Sequence, residues 1–102
     1  MEKRKAHYRL EDIQAQMVDV RSLRLTNTAR KCVLYDLGWS LEDALKVVRS
    51  LTRKDFFKSM TTERNHKVWQ DVYHAERGGV VVYLKFQRHD DAYFFTVSFK
   101  EK

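Results

Sequence analysis

Apolar residues in the first half of the chain recur at the spacing of an amphipathic helix. Leu10, Ile13 and Met17 lie three and four residues apart, and Glu11 and Asp12 would fall in the first turn, where the helix dipole favours acids. This pattern predicts a helix that begins near Leu10. The segment that follows it, residues 20–25, partly alternates and is compatible with a short strand.

Two further helices are predicted before residue 52. The first has Thr28 as its N-cap and Gly38 just past its end, with apolar positions at Ala29, Cys32, Val33 and Leu37. The second begins after Ser40, because Asp43 three residues later completes a capping-box pattern. The first half of the chain is therefore expected to be mainly helical.

The second half has the composition of a sheet. Ten of the 13 aromatic residues lie in residues 52–102, and aromatic side chains favour strands. Residues 67–74, 80–88 and 92–100 are predicted strands, and residues 55–61 are interpreted as a helical turn that runs into a strand. Gly78-Gly79 and Asp90-Asp91 separate the last three strands, so both pairs are predicted hairpin turns.

These turns fix which strand residues lie opposite each other. With Gly78-Gly79 as the turn, His74 lies opposite Tyr83 and Gln70 lies opposite Gln87. With Asp90-Asp91 as the turn, Tyr83 lies opposite Ser98. The same register sets Leu84 opposite Val97, Phe86 opposite Phe95 and Val81 opposite Lys100. Both registers assign the same residues of strand 80–88 to the same faces of the sheet.

One predicted face is apolar and the other is polar. The apolar face carries Trp69, Tyr73, Val82, Leu84, Phe86, Phe95, Val97 and Phe99, and we expect the helices to cover it. The open face carries Gln70, His74, Tyr83, Lys85, Gln87, Thr96, Ser98 and Lys100. A face with lysine, tyrosine, glutamine and histidine but no acid suits an anion. The predicted class is α+β, an antiparallel sheet packed on N-terminal helices, with helices mainly in 8–52 and sheet mainly in 56–102.

Composition bounds the function classes. The chain has 102 residues, which predicts one domain over 1–102, and carries 20 Lys+Arg against 14 Asp+Glu for a net charge of +6. No apolar run approaches the roughly 20 residues of a membrane span, so a cytoplasmic protein without membrane association is expected. The lone Cys32 excludes an internal disulfide, and the chain has no convincing metal-ligand pattern. We expect neither a metal nor another cofactor.

The basic excess favours an acidic partner, with nucleic acid as the first candidate. The charge is not clustered, since each half of the chain carries a net +3, and a solvated basic surface explains it equally well. The open face is the more specific signal, because it suits cleavage of a phosphodiester. Lysines neutralise a phosphorane, tyrosine or lysine moves protons, and glutamine orients a phosphate or hydroxyl. Taken one at a time, these residues are more typical of solvent-facing strand positions than of a catalytic site.

Several segments resemble the motility quorum-sensing regulator (MqsR) toxin family. They are FKSMTT at 57–62 followed by His66, WQDVY at 69–73, VYLK at 82–85, VSFKEK at 97–102 and MEKR at 1–4. The resemblance implies a RelE-like fold with a curved sheet. It also implies the toxin of a type II toxin–antitoxin module, a metal-independent and ribosome-independent endoribonuclease that cuts messenger RNA at GCU-like sites. It implies a cognate, MqsA-like antitoxin as partner.

The resemblance also assigns catalytic positions. It implies Lys58, Gln70, Tyr83 and Lys100 as the catalytic residues, of which the predicted register had already put the last three on the open face. Lys85, Arg88 and His66 are candidate RNA-binding residues, although Arg88 falls on the core-facing side of its strand. A relative has tyrosine at the position of Phe57, so this chain has no hydroxyl there.

Two other functions remain open at this point. A non-catalytic nucleic-acid-binding module would use the same basic face and show salt-dependent binding without a product. A protein that only binds other proteins would add a partner strand to the sheet edge and bind no RNA.

Overall fold

The sheet forms the frame of the molecule. The computed structural model describes residues 1–89 and 92–102. Within them, antiparallel strands follow each other across one open sheet in chain order. The strands are β1 (Glu2–Lys3), β2 (Phe56–Thr61), β3 (Trp69–Arg77), β4 (Val80–Gln87) and β5 (Thr96–Glu101). The predicted α+β class and the antiparallel sheet are confirmed, whereas the sequence pattern gave no sign of β1.

Helices from the first half cover one face of this sheet. They are α1 (Leu10–Gln16), α2 (Asn27–Lys31), which continues as a π-helical turn over Cys32–Asp36, and α3 (Leu41–Ser50). Short 3₁₀ turns lie at Val20–Ser22 and Arg53–Asp55. None of these helices is long and apolar enough to cross a membrane, within the residues that the structure describes.

The helix ends show which local predictions were right. Ser40 and Asp43 form the predicted capping box at α3, with each side chain accepting from the other's backbone N–H. The predicted cap of α2 was wrong by two residues, because the Thr26 hydroxyl, not Thr28, accepts from the backbone N–H of Ala29 at 3.1 Å. Gly38 follows the π-helical turn with φ of +67°, a left-handed conformation that favours glycine.

Residues 20–25 do not form the independent strand that their alternation suggested. Val20–Ser22 is a 3₁₀ turn capped by Asp19, whose carboxylate accepts from the backbone N–H of Ser22. The next residues run beside β5 instead. Leu25 bridges to Val97 in parallel, and the Val97 N–H donates to the Arg24 carbonyl at 2.9 Å. This segment therefore covers part of the outer edge of the sheet.

The core lies between the covered face and the helices. Alternate residues of β4 and β5 are fully buried there, as the predicted apolar face required, and pack against α1, the π-helical turn and α3. The strand members include Val82, Leu84, Phe86 and Val97, and the helical members include Ile13, Val33 and Val48. Cys32 is buried at the edge of this layer, where burial raises the pKa of its thiol.

The β3–β4 hairpin has the predicted register. Gly78 and Gly79 form the turn with φ of +60° and +80°, His74 pairs with Tyr83, and Gln70 pairs with Gln87. Positive φ at both turn positions costs glycine little and other residues more. The sequence therefore determined this hairpin locally.

The predicted register of β4 and β5 was wrong by two residues. Tyr83 pairs with Lys100 and Lys85 with Ser98, so β5 begins at Thr96. The physical reason is Gln16 of α1, whose side chain donates to the Tyr93 carbonyl at 2.8 Å and accepts from the Phe95 N–H at 2.9 Å. These contacts hold residues that were expected to pair with β4. The proposed turn at Asp90-Asp91 lies outside the described residues.

Candidate active site

A pocket of about 250 Å³ opens on the uncovered face of the sheet, across β2 to β5. Its apolar lining is Phe57, Met60 and Val72. Its polar lining is Lys58, His74, Tyr83, Lys85 and Lys100. We call this site the lysine pocket. It brings together three of the four predicted catalytic residues and one of the predicted RNA-binding residues.

The observed register of β4 and β5 brings Lys100 closer to Tyr83 than the predicted register did. A shift by two residues keeps every side chain on its face, so Tyr83 and Lys100 stay on the open face. The shift replaces Ser98 with Lys100 opposite Tyr83. Side chains directly opposite on antiparallel strands lie close enough to interact, so a phenol and an ammonium share one end of the pocket.

Lys58 reaches the pocket from a β-bulge in β2. Phe56 pairs with Tyr73 and Lys58 pairs with Val72, which leaves Phe57 as the extra residue between them. Bulges re-aim the side chains that follow them. Here Phe57 and Lys58 both line the open face, and the side chain of Lys58 keeps only 26% exposure.

Glu2 forms an ion pair with Lys58, which corrects the expectation that the open face holds no acid. β1 pairs with β2 so that Glu2 lies opposite Met60. The hydrogen bond from Lys58 and its positive charge lower the pKa of the Glu2 carboxyl. The Glu2 carboxylate is therefore paired with the same Lys58 ammonium that an RNA phosphate would need to bind. A two-residue strand has too few positions to show periodicity, so no hydrophobic pattern placed Glu2 beside Lys58.

Three rings cross the centre of the lysine pocket. The His74 ring stacks on Phe57 at a centroid distance of 4.4 Å and lies 4.2 Å from the ring of Tyr83. Burial, followed by the positive charge of Lys102, lowers the pKa of His74. The sequence register had placed His74 on this face but assigned it no role.

Gln70 lies in a second depression beside the lysine pocket. This depression, which we call the amide groove, has a volume of about 710 Å³ and is bordered by the loop between β2 and β3. The Gln70 side chain donates to Oε1 of Gln87 at 2.6 Å, and Asn65 and Thr62 contribute further polar groups. Met60 and Lys85 line both depressions, so the two are adjacent.

A buried carboxylate supports the floor of the site from the opposite face. Asp71 is fully buried and accepts from the backbone N–H groups of His7 and Tyr8, at 3.1 and 2.9 Å, and from the Ser59 hydroxyl at 2.6 Å. These bonds tie the N-terminal segment, β2 and β3 together. Removing a carboxylate with this many buried partners leaves them unsatisfied, so Asp71 is structural.

The other two candidate RNA-binding residues lie apart from this cluster. The Arg88 guanidinium packs over the rings of Phe95 and Tyr8, at 4.4 and 5.7 Å, on the covered side of the sheet. His66 is exposed in the loop between β2 and β3. Neither residue lines the lysine pocket or the amide groove. No group of three or more His, Cys, Asp or Glu suited to a metal ion occurs in residues 1–89 and 92–102.

Known proteins of one family match this chain over nearly its full length. The family model described as "Motility quorum-sensing regulator, toxin of MqsA" matches residues 5–101. The mRNA interferase toxin MqsR of Escherichia coli (strain K12) is 38% identical over 102 residues, which span 100% of both chains. The resemblance found in the sequence motifs is therefore confirmed.

Proposed function

This chain belongs to the motility quorum-sensing regulator toxin family, and on that premise we propose that it is an endoribonuclease toxin that cleaves messenger RNA. The observation that carries the proposal is the lysine pocket, where Lys58, Tyr83 and Lys100 meet in a member of a family whose E. coli relative is named an mRNA interferase toxin. The residue roles below are part of the proposal.

The proposed reaction is a transesterification within the RNA. The ribose 2′-OH attacks the adjacent phosphorus, the bond to the 5′-oxygen breaks, and the products end in a 2′,3′-cyclic phosphate and a 5′-OH. RNA supplies its own nucleophile, so the reaction needs no activated water and we propose that it needs no metal. The protein must stabilise the charge of the phosphorane and move two protons.

Lys58 and Lys100 bind the phosphate and stabilise the phosphorane. They approach from opposite sides of the pocket, on β2 and β5, so a phosphate at its centre meets cations on both sides. Lys85 adds a third cation at the junction with the amide groove. Tyr83 donates a proton to the departing 5′-oxygen or positions the phosphate.

Gln70 orients the RNA from the amide groove. Its hydrogen bond to Gln87 leaves amide donors and acceptors on the groove wall, and such groups pair with base edges of single-stranded RNA. We propose that these amides contribute to selectivity for GCU-like sites. His66 and Arg88 remain candidate contacts to RNA that extends beyond the two depressions.

The proposal extends to partner and location. The family is described as the toxin of MqsA, so we propose that a cognate, MqsA-like antitoxin silences this protein. Messenger RNA as substrate implies action in the cytoplasm, and cleavage is proposed to be independent of ribosomes.

A denaturing gel tests the proposal. Purified protein is incubated with a GCU-containing RNA and a GCU-free control, with and without EDTA. We expect cleavage of the first RNA in both conditions. The control protein, purified identically, carries Lys58→Ala and Lys100→Ala together. The proposal is wrong if no RNA is cut, or if the double variant cuts as well as the wild type. Loss of cleavage on chelation with rescue by a divalent ion contradicts metal independence.

A further inference from the structure

His74 lies at the centre of the lysine pocket with its ring held on both sides. Phe57 on β2 and Tyr83 on β4 flank it at centroid distances of 4.4 and 4.2 Å. Packing of this kind restricts the rotation of the imidazole. A titratable ring is therefore fixed among the residues to which phosphodiester cleavage is assigned.

The ring nitrogens of His74 form no hydrogen bond with another protein group in residues 1–89 and 92–102. His7 differs, because its Nδ1 lies 2.9 Å from the Lys3 ammonium. His74 is half-buried and lines the lysine pocket, so a ribose and phosphate bound there can reach its ring nitrogens.

We propose that His74 is the general base of this site and accepts the proton of the attacking 2′-OH. The inference rests on the proposed ribonuclease function and adds a catalytic residue to it. A general base is most effective when its pKa lies near the operating pH. Histidine is the side chain whose ordinary pKa lies near neutrality.

The surroundings of His74 favour its neutral form. Charged and titratable side chains face His74 from the N-terminal segment, from strands β2 to β5 and from the C-terminus. They are Arg4, Lys58, Glu76, Tyr83, Lys85, Lys100 and Lys102. Most of them are cations. Burial of the imidazole lowers its pKa, and the charge of Lys102 adds to that effect. A neutral imidazole has the free lone pair that a base requires.

The proton transfers balance within the site. The 2′-O–H bond breaks, its proton moves to a ring nitrogen of His74, and the 2′-oxygen forms a bond to phosphorus. The bond between phosphorus and the 5′-oxygen then breaks, and the Tyr83 hydroxyl protonates the 5′-oxygen. The resulting imidazolium and phenolate are adjacent, so proton transfer from His74 to Tyr83 restores both groups.

The pH profile of His74→Gln tests the inference first. Cleavage of a defined RNA should fall about 10²- to 10⁴-fold, the usual range for loss of general acid–base catalysis. The acidic limb of kcat/KM in the wild type, centred below about 6.5, should disappear in the variant. Binding of the same RNA with a non-cleavable 2′-deoxy linkage should stay unchanged. An unchanged rate and profile overturns the inference, and so does a loss of binding that accounts for the loss of rate.

A second substrate separates base from acid. An RNA with sulfur in place of the bridging 5′-oxygen has a leaving group that needs no proton. It should restore cleavage by Tyr83→Phe but not by His74→Gln. Restoration of His74→Gln instead would assign His74 as the acid and overturn the proposal.

Two controls complete the test. His7→Gln removes an imidazole that stacks on Trp69 outside the pocket, and it should keep the wild-type rate and pH profile. His74→Ala should regain cleavage when free imidazole is added, which a purely structural role does not predict. If the wild type itself cuts no RNA, the proposed function fails. If the wild type cuts RNA and imidazole does not rescue His74→Ala, only the assignment of His74 fails.

Discussion

Two tyrosines on the β3–β4 hairpin show how differently the faces of this sheet are used. Tyr73 is 1% exposed on the covered face, where burial raises the pKa of its hydroxyl to about 12. Tyr83 is half-buried on the open face, opposite Lys100 and beside His74. Tyrosine is a core residue on the covered face and a candidate proton donor on the open face. The alternation of the strand decides between the two roles.

The largest expected effect comes from breaking the covered face. Leu84 is fully buried next to Tyr83 in sequence, so Leu84→Ala should lower the free energy of unfolding by about 2–5 kcal/mol. The neighbouring Lys85→Ala, on the open face, should change it by less than about 0.5 kcal/mol. Urea unfolding of both variants measures the contrast. Equal losses would mean that the faces are assigned wrongly.

The open face should respond in rate and not in stability. Tyr83→Phe, Lys100→Ala and Lys58→Ala should each slow RNA cleavage by about 10²-fold or more, equivalent to roughly 3 kcal/mol of transition-state stabilisation. Their melting temperatures should remain near that of the wild type. Tyr73→Phe is the matched control and should keep normal cleavage. Near-normal cleavage by all three open-face variants would favour the non-catalytic binding module.

The stability of the protein at alkaline pH should reveal the burial of the Tyr73 hydroxyl. Since the hydroxyl of Tyr73 has its pKa raised to about 12, the unfolded chain loses this proton first, near pH 10. Ionisation of Tyr73 in the unfolded chain therefore lowers the free energy of unfolding as pH rises from about 10 towards 12, by about 1 kcal/mol at pH 11. Tyr73→Phe should remove that part of the dependence in urea unfolding between pH 9 and 11. An identical slope in wild type and variant would contradict the burial of this hydroxyl.

The smallest expected effect concerns Glu2. Glu2→Gln removes the carboxylate that occupies Lys58, so binding of a 2′-deoxy RNA analogue should tighten by a few fold, in the range of an exposed ion pair. The gain should shrink as salt is added. Fluorescence anisotropy at two ionic strengths measures both. Weaker binding by the variant would mean that Glu2 orients Lys58 for the phosphate and does not compete with it.

The sequence predicted features that local chemistry determines. The turn needs positive φ at two positions, which Gly78 and Gly79 adopt at little cost. The pairing of His74 with Tyr83 followed directly from the position of this turn. The capping box of Ser40 and Asp43 is equally local. The residues of β5 that were assigned to the open face do lie there, although the predicted register was wrong. A slip of two residues preserves the alternation of side chains between the two faces.

Contacts between distant segments determine the features that the sequence did not predict. Gln16 of α1 holds the backbone of Tyr93 and Phe95, and no pattern near β5 indicates this. Glu2 reaches Lys58 across 56 positions of sequence. The bulge at Phe57, which brings its ring against His74, likewise depends on how β2 packs on β3. These long-range contacts complete the candidate site.

A single 2′-deoxy substitution tests the central claim most directly. Two RNAs are compared that differ only in the 2′-OH immediately 5′ of the scissile phosphate. The account predicts that the wild-type protein cuts the all-ribose RNA to a 2′,3′-cyclic phosphate and a 5′-OH, and leaves that linkage intact in the deoxy RNA. Cleavage of the deoxy RNA at the same linkage would contradict attack by the 2′-OH and the role assigned to the lysine pocket.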